Sequence, residues 1–365
     1  MTQRPLSAIV LAAGQGTRMR SARPKPLHVL CGRPLVQYVL DAVAGCGCDR
    51  AVVVVGFGGD LVVKTLQEQA GALPLEFVEQ REQRGTGDAV AVGLTGLPDD
   101  SLDVDDGDVL VVPGDTPLVR PETLEALVTE HRLSGAACTV LTARLDDPTG
   151  YGRVVRDEEG RVRRIVEHRD ANAEERAIDE VNTGIYVFRG GLLAPALRRI
   201  TPDNSQGELY LTDVVAVLAE AGHPVVSLVA PDPEETWGVN DRAQLAVAEA
   251  ELRRRTNERW LRAGVAMVDP ATTYVDTTVE LAPDVVLFPG TVLQGRTTVG
   301  AGSEIGPATR LSDTRVGERA KVNETVAVRA EIGDDAVVGP FAVLEPGARV
   351  GPGVRTGPFY TGTTG

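Results

Sequence analysis

Short, almost unbroken apolar runs punctuate the first 230 residues of this chain, at Ser7–Leu11, Ala51–Val55, Leu75–Val78, Val109–Val112, Cys138–Thr142 and Ile185–Phe188. Runs of this length, rich in β-branched residues, predict strands. Between and after them, helical patterns fall at Leu35–Ala44, Gly87–Leu94, Pro121–Leu133 and Leu209–Ala221, with Pro121 as a first-turn residue and Gly222 as a terminator. Strands alternating with helices predict an α/β fold, a doubly wound, mainly parallel Rossmann-like sheet. Ligands of such sheets bind beyond the carboxyl ends of the strands.

The pattern changes twice further on. Asp241–Ala263 is charged, rich in alanine and leucine, and free of Gly and Pro. It predicts a linker helix about 30 Å long, with Leu245, Leu252 and Trp260 on its buried side. From Val275 an apolar residue recurs at every sixth position: Val275, Leu281, Leu287, Leu293, Val299, Ile305 and Leu311. After a slip the rhythm resumes at Val316 and Val322, then at Ile332, Val338, Leu344 and Val350. A period of six is neither helical nor simple strand alternation. It predicts a short parallel β-helix of hexapeptides, each directing one apolar side chain into a prism. The expected division is a first domain over 1–240, the linker helix over 241–263 and the hexapeptide coil over 264–365.

Composition narrows the function. The 365 residues carry 37 basic and 52 acidic side chains, a net charge of −15. That field opposes nucleic-acid and anionic-membrane partners, so an anionic small substrate needs cations placed locally. Lysine is scarce: Lys25, Lys64 and Lys321 are the whole set. Cys31, Cys46, Cys48 and Cys138 form no C-x-x-C pair and no zinc spacing, and His28, His131, His168 and His223 fall in no metal motif. Buried thiols of a reduced, cytoplasmic protein are expected, without a membrane span.

Two motifs carry chemistry. Leu11-Ala-Ala-Gly-Gln-Gly-Thr-Arg-Met19 follows the first strand, and Arg18 and Lys25, the latter between Pro24 and Pro26, place two cations in one loop. Gly14 and Gly16 allow close approach to a phosphate, yet the run is neither a dinucleotide fingerprint nor a Walker A loop. Pro113-Gly114-Asp115-Thr116-Pro117-Leu118 closes the strand at Val109–Val112. A lone carboxylate there suits Mg²⁺, which takes few protein oxygens and several from substrate phosphates. Taken singly, each motif is also what a tight turn requires. The acid run Asp99–Asp108 lacks the EF-hand pattern and is expected to be a solvated loop. No nucleophile elbow is present.

In this order the motifs resemble the bacterial bifunctional N-acetylglucosamine-1-phosphate uridylyltransferase/glucosamine-1-phosphate acetyltransferases. Supporting blocks are Gln80 with Gly85-Thr86-Gly87, Tyr151-Gly152-Arg153, Ile165-Val166-Glu167, Val181-Asn182-Thr183-Gly184, Glu208–Asp213 and Gly238-Val239-Asn240. The resemblance implies that Leu11, Ala12, Ala13, Gly14, Gln80, Gly85 and Thr86 hold the nucleotide, with Gln80 reading the uracil edge. Arg18 and Lys25 would bind and polarise the triphosphate, Asp115 and Asn240 would hold Mg²⁺, and Gly152, Glu167 and Asn182 would bind the sugar. It implies UTP and a sugar 1-phosphate as substrates, a left-handed coil and a homotrimer assembled through it.

The chain departs from that pattern. Arg84 and Asp88 stand where the family usually has Leu and His, and Asp241 replaces an Asn beside Asn240. Glu345 stands where the family's coil has a phosphate-binding Arg, and all four histidines precede the repeat. The acetyltransferase is therefore expected to be lost, and another sugar or nucleotide stays open. So does a catalytically silent sugar-nucleotide-binding subunit, which loss of a cation or metal ligand would favour. A hexapeptide acyltransferase lacks its histidine here, and an oxidoreductase its third glycine.

Overall fold

A computed structural model describes residues 4–69, 71–98 and 107–363. It divides into two compact units, the first of residues 4–28 and 34–244, the second of residues 29–33 and 245–363.

The first unit is built on a nine-stranded sheet. Its strands are β1 (Leu6–Ala12), β2 (Arg50–Val55), β3 (Leu75–Glu79), β4 (Asp108–Pro113), β5 (Cys138–Arg144), β6 (Arg153–Arg156), β7 (Val162–Val166), β8 (Glu180–Arg189) and β9 (Val225–Val229). The main path runs β9-β5-β8-β4-β1-β2-β3, with the β6–β7 hairpin attached to β8. β4, β1, β2 and β3 are parallel, whereas β8 runs antiparallel to both β4 and β5. The doubly wound sheet is therefore mixed, with one reversed strand in its middle.

Alternation within the strands explains the two-faced core. Ile9, Val52, Val54, Val109 and Val111 join one cluster, and Ala8, Val10, Val53, Leu110 and Val112 the other. The first face is covered by α3 (Thr86–Leu94), α5 (Gly190–Leu197) and α6 (Asp213–Glu220). The second is covered by α1 (Leu35–Gly45), α2 (Gly59–Glu68) and α4 (Pro121–Ser134). With both faces dry, the central strands β1, β2 and β4 must be largely apolar, which is why they read as continuous runs, whereas β3 at the sheet edge is only half-buried. The helix expected at Leu209–Ala221 is shorter. It starts only at Asp213, because Leu209 and Leu211 are committed to α3: Leu209 O accepts from Gly87 N at 2.8 Å and Leu211 N donates to Thr86 Oγ1 at 3.0 Å.

The acid run lies mostly outside the described residues, but its last member corrects the expectation of a solvated loop. Asp108 opens β4 and is only 1% exposed. Arg132 Nε donates to its Oδ2 at 2.8 Å, while His131 Nε2 stands 3.6 Å from Oδ1, beyond hydrogen-bond reach.

A helix over Arg242–Arg262 crosses the division between the units. Leu245, Leu252 and Trp260 are only half-buried; the deepest positions are Ala248, Glu251, Thr256 and Asn257. Three of those are polar and have partners, so apolar spacing could not reveal them. Glu251 accepts from Arg254 and Arg255, and Asn257 Nδ2 donates to the carbonyls of Pro270 and Thr273 at 2.9 and 3.0 Å.

The second unit is a parallel β-helix of three sheets of two- to four-residue strands, the fold class expected. Every predicted apolar position from Val275 to Val350 lies in its core. The missing position between Val322 and Ile332 has a simple cause. Ala327, small enough to escape the pattern, fills the gap between Val322 and Ile332, pairing with Leu311 on one side and Leu344 on the other. Threonine and serine corners line the same interior, their hydroxyls bonded to backbone, as in Thr291 Oγ1 to Ile305 O at 3.0 Å and Ser303 Oγ to Gly317 O at 2.8 Å. Among the described residues no helix is long and apolar enough to cross a membrane.

Candidate active site

Because β1 and β4 are parallel neighbours, their carboxyl ends deliver two loops side by side, and Gly114 N donates to Leu11 O at 2.8 Å. Beyond them lies a cleft of about 350 Å³. Its walls include Leu11, Ala12, Ala13, Gly14, Lys25, Gln80, Gly85, Thr86, Asp115, Glu167 and Asn182. The two glycines of the first loop differ. A side chain at Gly14 would enter open space, whereas Gly16 has φ +61° and a Cβ there would stand 2.7 Å from the Cβ of Lys25. Gly16 is thus fitted against the lysine stem, and only Gly14 faces the opening.

Lys25 is held by Asp115 and Asn240. Its Nζ forms an ion pair with Asp115 Oδ2 and donates to Asn240 Oδ1 at 2.9 Å. Arg18, on the exposed side, donates to the same Asn240 oxygen at 3.0 Å. Both candidate cations and both candidate metal ligands therefore meet at one point, at the junction of the cleft with a second groove of about 360 Å³ lined by Arg18, Asp115, Tyr151 and Asn240. Backbone ties the two acceptors together, with Val239 N donating to Asp115 O at 2.8 Å. Neither remaining lysine belongs here: Lys321 pairs with Glu304 on the coil, and Lys64 is exposed on α2.

Two oxygens that share one ammonium, a carboxylate and a side-chain amide carbonyl, are a donor set a hard divalent cation accepts. Among the described residues no group of three or more His, Cys, Asp or Glu could hold a metal. Any ion at Asp115 and Asn240 would need further oxygens from a ligand.

The cleft's far wall comes from the reversed strand and the hairpin. Asn182 N donates to Gly152 O at 2.9 Å, and a Cβ on Gly152 would lie 3.5 Å from Glu167 Oε2, so these three residues are contiguous. The register of β8 shifts between Asn182 and Tyr186, the kind of irregularity that re-aims a side chain. Burial pushes the Glu167 carboxyl above the usual carboxylate range, Asp213, Asp170 and Glu208 add to this, and a bond from Thr212 Oγ1 at 3.2 Å opposes it.

Gln80 is 5% exposed at the end of β3. Its Nε2 donates to Gly85 O at 3.2 Å and to Asp88 Oδ2 at 2.7 Å. Gly85 itself has φ +113°, and any Cβ there would stand 2.5 Å from Leu209 O, so only glycine fits this turn.

Sequence reasoning missed several members. Gln83 braces the first loop by donating to Ala13 O at 2.7 Å, and Thr212, Glu208 and Tyr186 line the cleft. Thr212 and Glu208 lie in the Glu208–Asp213 block that carried the resemblance, which was the available signal. Glu235, 1% exposed, accepts from Thr123 Oγ1 and pairs with Arg120 at 3.2 Å, joining the segment after Asp115 to the one before Asn240. No local pattern marks that latch.

Residues 8–210 match the family described as MobA-like NTP transferase domain. The chain belongs to that family. Among curated proteins it is similar to Bifunctional protein GlmU of Thermobifida fusca, 50% identical over 286 residues, covering 78% of this chain and 58% of that protein. The same name belongs to relatives from Exiguobacterium sibiricum, 48% identical over 283 residues (78% of this chain, 61% of that one), and Streptomyces coelicolor, 50% identical over 288 residues (79% and 58%). The resemblance drawn from the motifs is thus met, and the chain spans about three-fifths of the length of these relatives.

Proposed function

We propose that this chain is a Mg²⁺-dependent sugar-1-phosphate nucleotidyltransferase that converts UTP and N-acetylglucosamine 1-phosphate, or a related hexose 1-phosphate, into a UDP-sugar and pyrophosphate. The observation that carries the reading is the meeting of Lys25, Arg18, Asp115 and Asn240 at the mouth of the cleft, in a protein whose net charge is −15. In such a field a triphosphate needs positive charge placed locally, and Lys25 is the one cation among the described residues lining the cleft.

In this reading the nucleotide lies along Leu11–Gly14, with its base between Gln80 and the Gly85-Thr86 turn. The sugar sits against Gly152, Glu167 and Asn182. An oxygen of the sugar phosphate attacks the α-phosphorus, the bond to the β-phosphate breaks, and pyrophosphate departs. Lys25 and Arg18 neutralise charge on the triphosphate, and the cleft walls align the two substrates. Such a transfer needs positioning and electrostatic stabilisation and no protein nucleophile. A divalent ion on Asp115 and Asn240 would supply further charge neutralisation. The metal dependence, the uracil preference and the identity of the sugar belong to this proposal, as do a cytoplasmic setting, suited to four buried cysteines, and a homotrimer through the coil, whose outward Val326, Phe341 and Val343 are exposed.

The deciding experiment is a matrix of nucleoside triphosphates against sugar 1-phosphates with MgCl₂, read by coupled pyrophosphate release. Turnover led by UTP is expected; no release from any pair would refute the reading and favour a silent sugar-nucleotide-binding subunit. The proposal also includes loss of the acetyltransferase, because Glu345 is an exposed carboxylate where the family pattern has a phosphate-binding Arg. With acetyl-CoA and glucosamine 1-phosphate, no CoA thiol above background is expected in a thiol-reagent assay.

A further inference from the structure

We propose that Asp88, the residue that departs from the family pattern beside the base-binding turn, is a positioning residue that fixes which face of the Gln80 amide meets the nucleobase, and so sets the choice between uracil and cytosine. This rests on the nucleotidyltransferase reading above.

The argument is one of donors and acceptors. A glutamine amide can present either its carbonyl or its NH₂ group, and rotating it by half a turn exchanges them. Here the choice is made by the surroundings. One terminal atom of Gln80 lies 3.2 Å from Gly85 O and 2.7 Å from Asp88 Oδ2, both of which only accept, so that atom is the nitrogen. Both amide hydrogens are then used. Oε1 is left for the cleft that Gln80 lines, and it has no hydrogen-bond partner among the described residues.

The Gly85 bond is the longer and is neutral. The Asp88 bond is shorter and charge-assisted, and it carries most of the orientation. Asp88 is itself well placed for that task, in the first turn of α3, where the helix end favours a carboxylate.

An acceptor aimed at the base suits an imide. Uracil offers N3–H as a donor, whereas cytosine offers a lone pair at N3 that would face the Gln80 oxygen. Cytosine could bind well only if the amide turned over, which would put its carbonyl against Gly85 O and Asp88. That arrangement opposes acceptor to acceptor and leaves buried groups unpaired, the situation from which binding sites draw their largest discrimination.

The test compares kcat/KM for UTP and for CTP, with N-acetylglucosamine 1-phosphate and MgCl₂, in the wild-type chain and three variants whose Tm is also measured. In Asp88→Ala the amide is free to turn, and the UTP:CTP ratio should fall about tenfold or more, mainly through KM. Asp88→Lys, which offers donors in place of an acceptor, should move the ratio further toward CTP. Asp88→Asn, whose carbonyl can still accept the Gln80 bond, should restore most of the preference. A purely structural role would lower both nucleotides together with Tm and leave the ratio unchanged; that result in folded Asp88→Ala or Asp88→Lys overturns the proposal. A wild-type chain that releases pyrophosphate from no nucleotide defeats the underlying reading and this inference with it, whereas turnover with a UTP preference that survives Asp88→Ala defeats the inference alone.

Discussion

Lys25→Ala is expected to lower pyrophosphate release by about 10³-fold while moving the melting temperature by only a few degrees. The size follows from where the ammonium sits. Removing one preorganised group that stabilises transition-state charge costs about 10²–10³ in kcat, and this one is the only cation among the described residues lining the cleft. The loss also takes away the shared partner of Asp115 and Asn240, leaving an uncompensated carboxylate beside an incoming polyphosphate. Stability should change little because the Lys25 and Asp115 side chains keep 14% and 23% of their exposure, and partly solvated pairs contribute modestly. Lys25→Arg should recover only part of the rate, since a planar guanidinium cannot place one compact charge between the same two oxygens. Arg18→Ala should cost less than Lys25→Ala, because Arg18 is exposed and, among the described residues, reaches only Asn240. The measurement is steady-state pyrophosphate release at saturating UTP, with Tm in parallel. A Lys25→Ala protein that keeps wild-type turnover would remove the electrostatic core of the proposed mechanism.

The parts of the molecule that were legible in the sequence share a physical cause. β1, β2 and β4 are covered on both faces, so every residue is under the same demand and the runs stand out. The hexapeptide coil repeats one inward apolar contact, so its period survives changes elsewhere. The site motifs were legible because they fall where those strands end: Leu11–Gly14 and Pro113–Asp115 are adjacent through the β1–β4 pairing.

What was missed lacked such a signal. Only Ile185–Phe188 of β8 was visible, although the strand spans Glu180–Arg189, because Asn182 and Gly184 interrupt its apolar run at the register shift. The polar residues buried along the Arg242–Arg262 helix escape apolar spacing because hydrogen bonds with Arg254, Arg255 and the Leu252, Pro270 and Thr273 carbonyls permit their burial, and the Ala327 step of the coil is too small to register. The hydrogen bond from Gln80 to Asp88 is of the same kind: it depends on how the loop after β3 returns to the start of α3, which no spacing encodes.

The second large effect concerns stability and its pH dependence. Asp108→Ala is expected to lower the unfolding free energy at pH 7 by about 3 kcal/mol, the usual scale for breaking a buried charge pair by removing one partner. Asp108 is 1% exposed at the head of β4, the strand whose other end delivers Asp115. Burial alone would push its carboxyl up, but His131 and Arg132 outweigh that and hold it below the ordinary value of 3.8. With His131 Nε2 at 3.6 Å, the 2.8 Å bond from Arg132 is the stronger of the two contacts. A carboxyl held lower in the folded chain than in the unfolded one favours folding wherever it is ionised in both. Its contribution is therefore complete above the unfolded value and disappears as pH falls through the depressed folded value. Urea unfolding of wild-type and Asp108→Ala proteins should consequently show the widest separation near neutrality, narrowing below about pH 4. The converse, a gap that widens in acid, would mean that burial and not Arg132 governs this carboxyl. Asp108→Asn should fall between the two, because it keeps the shape and one acceptor for Arg132 while removing the charge.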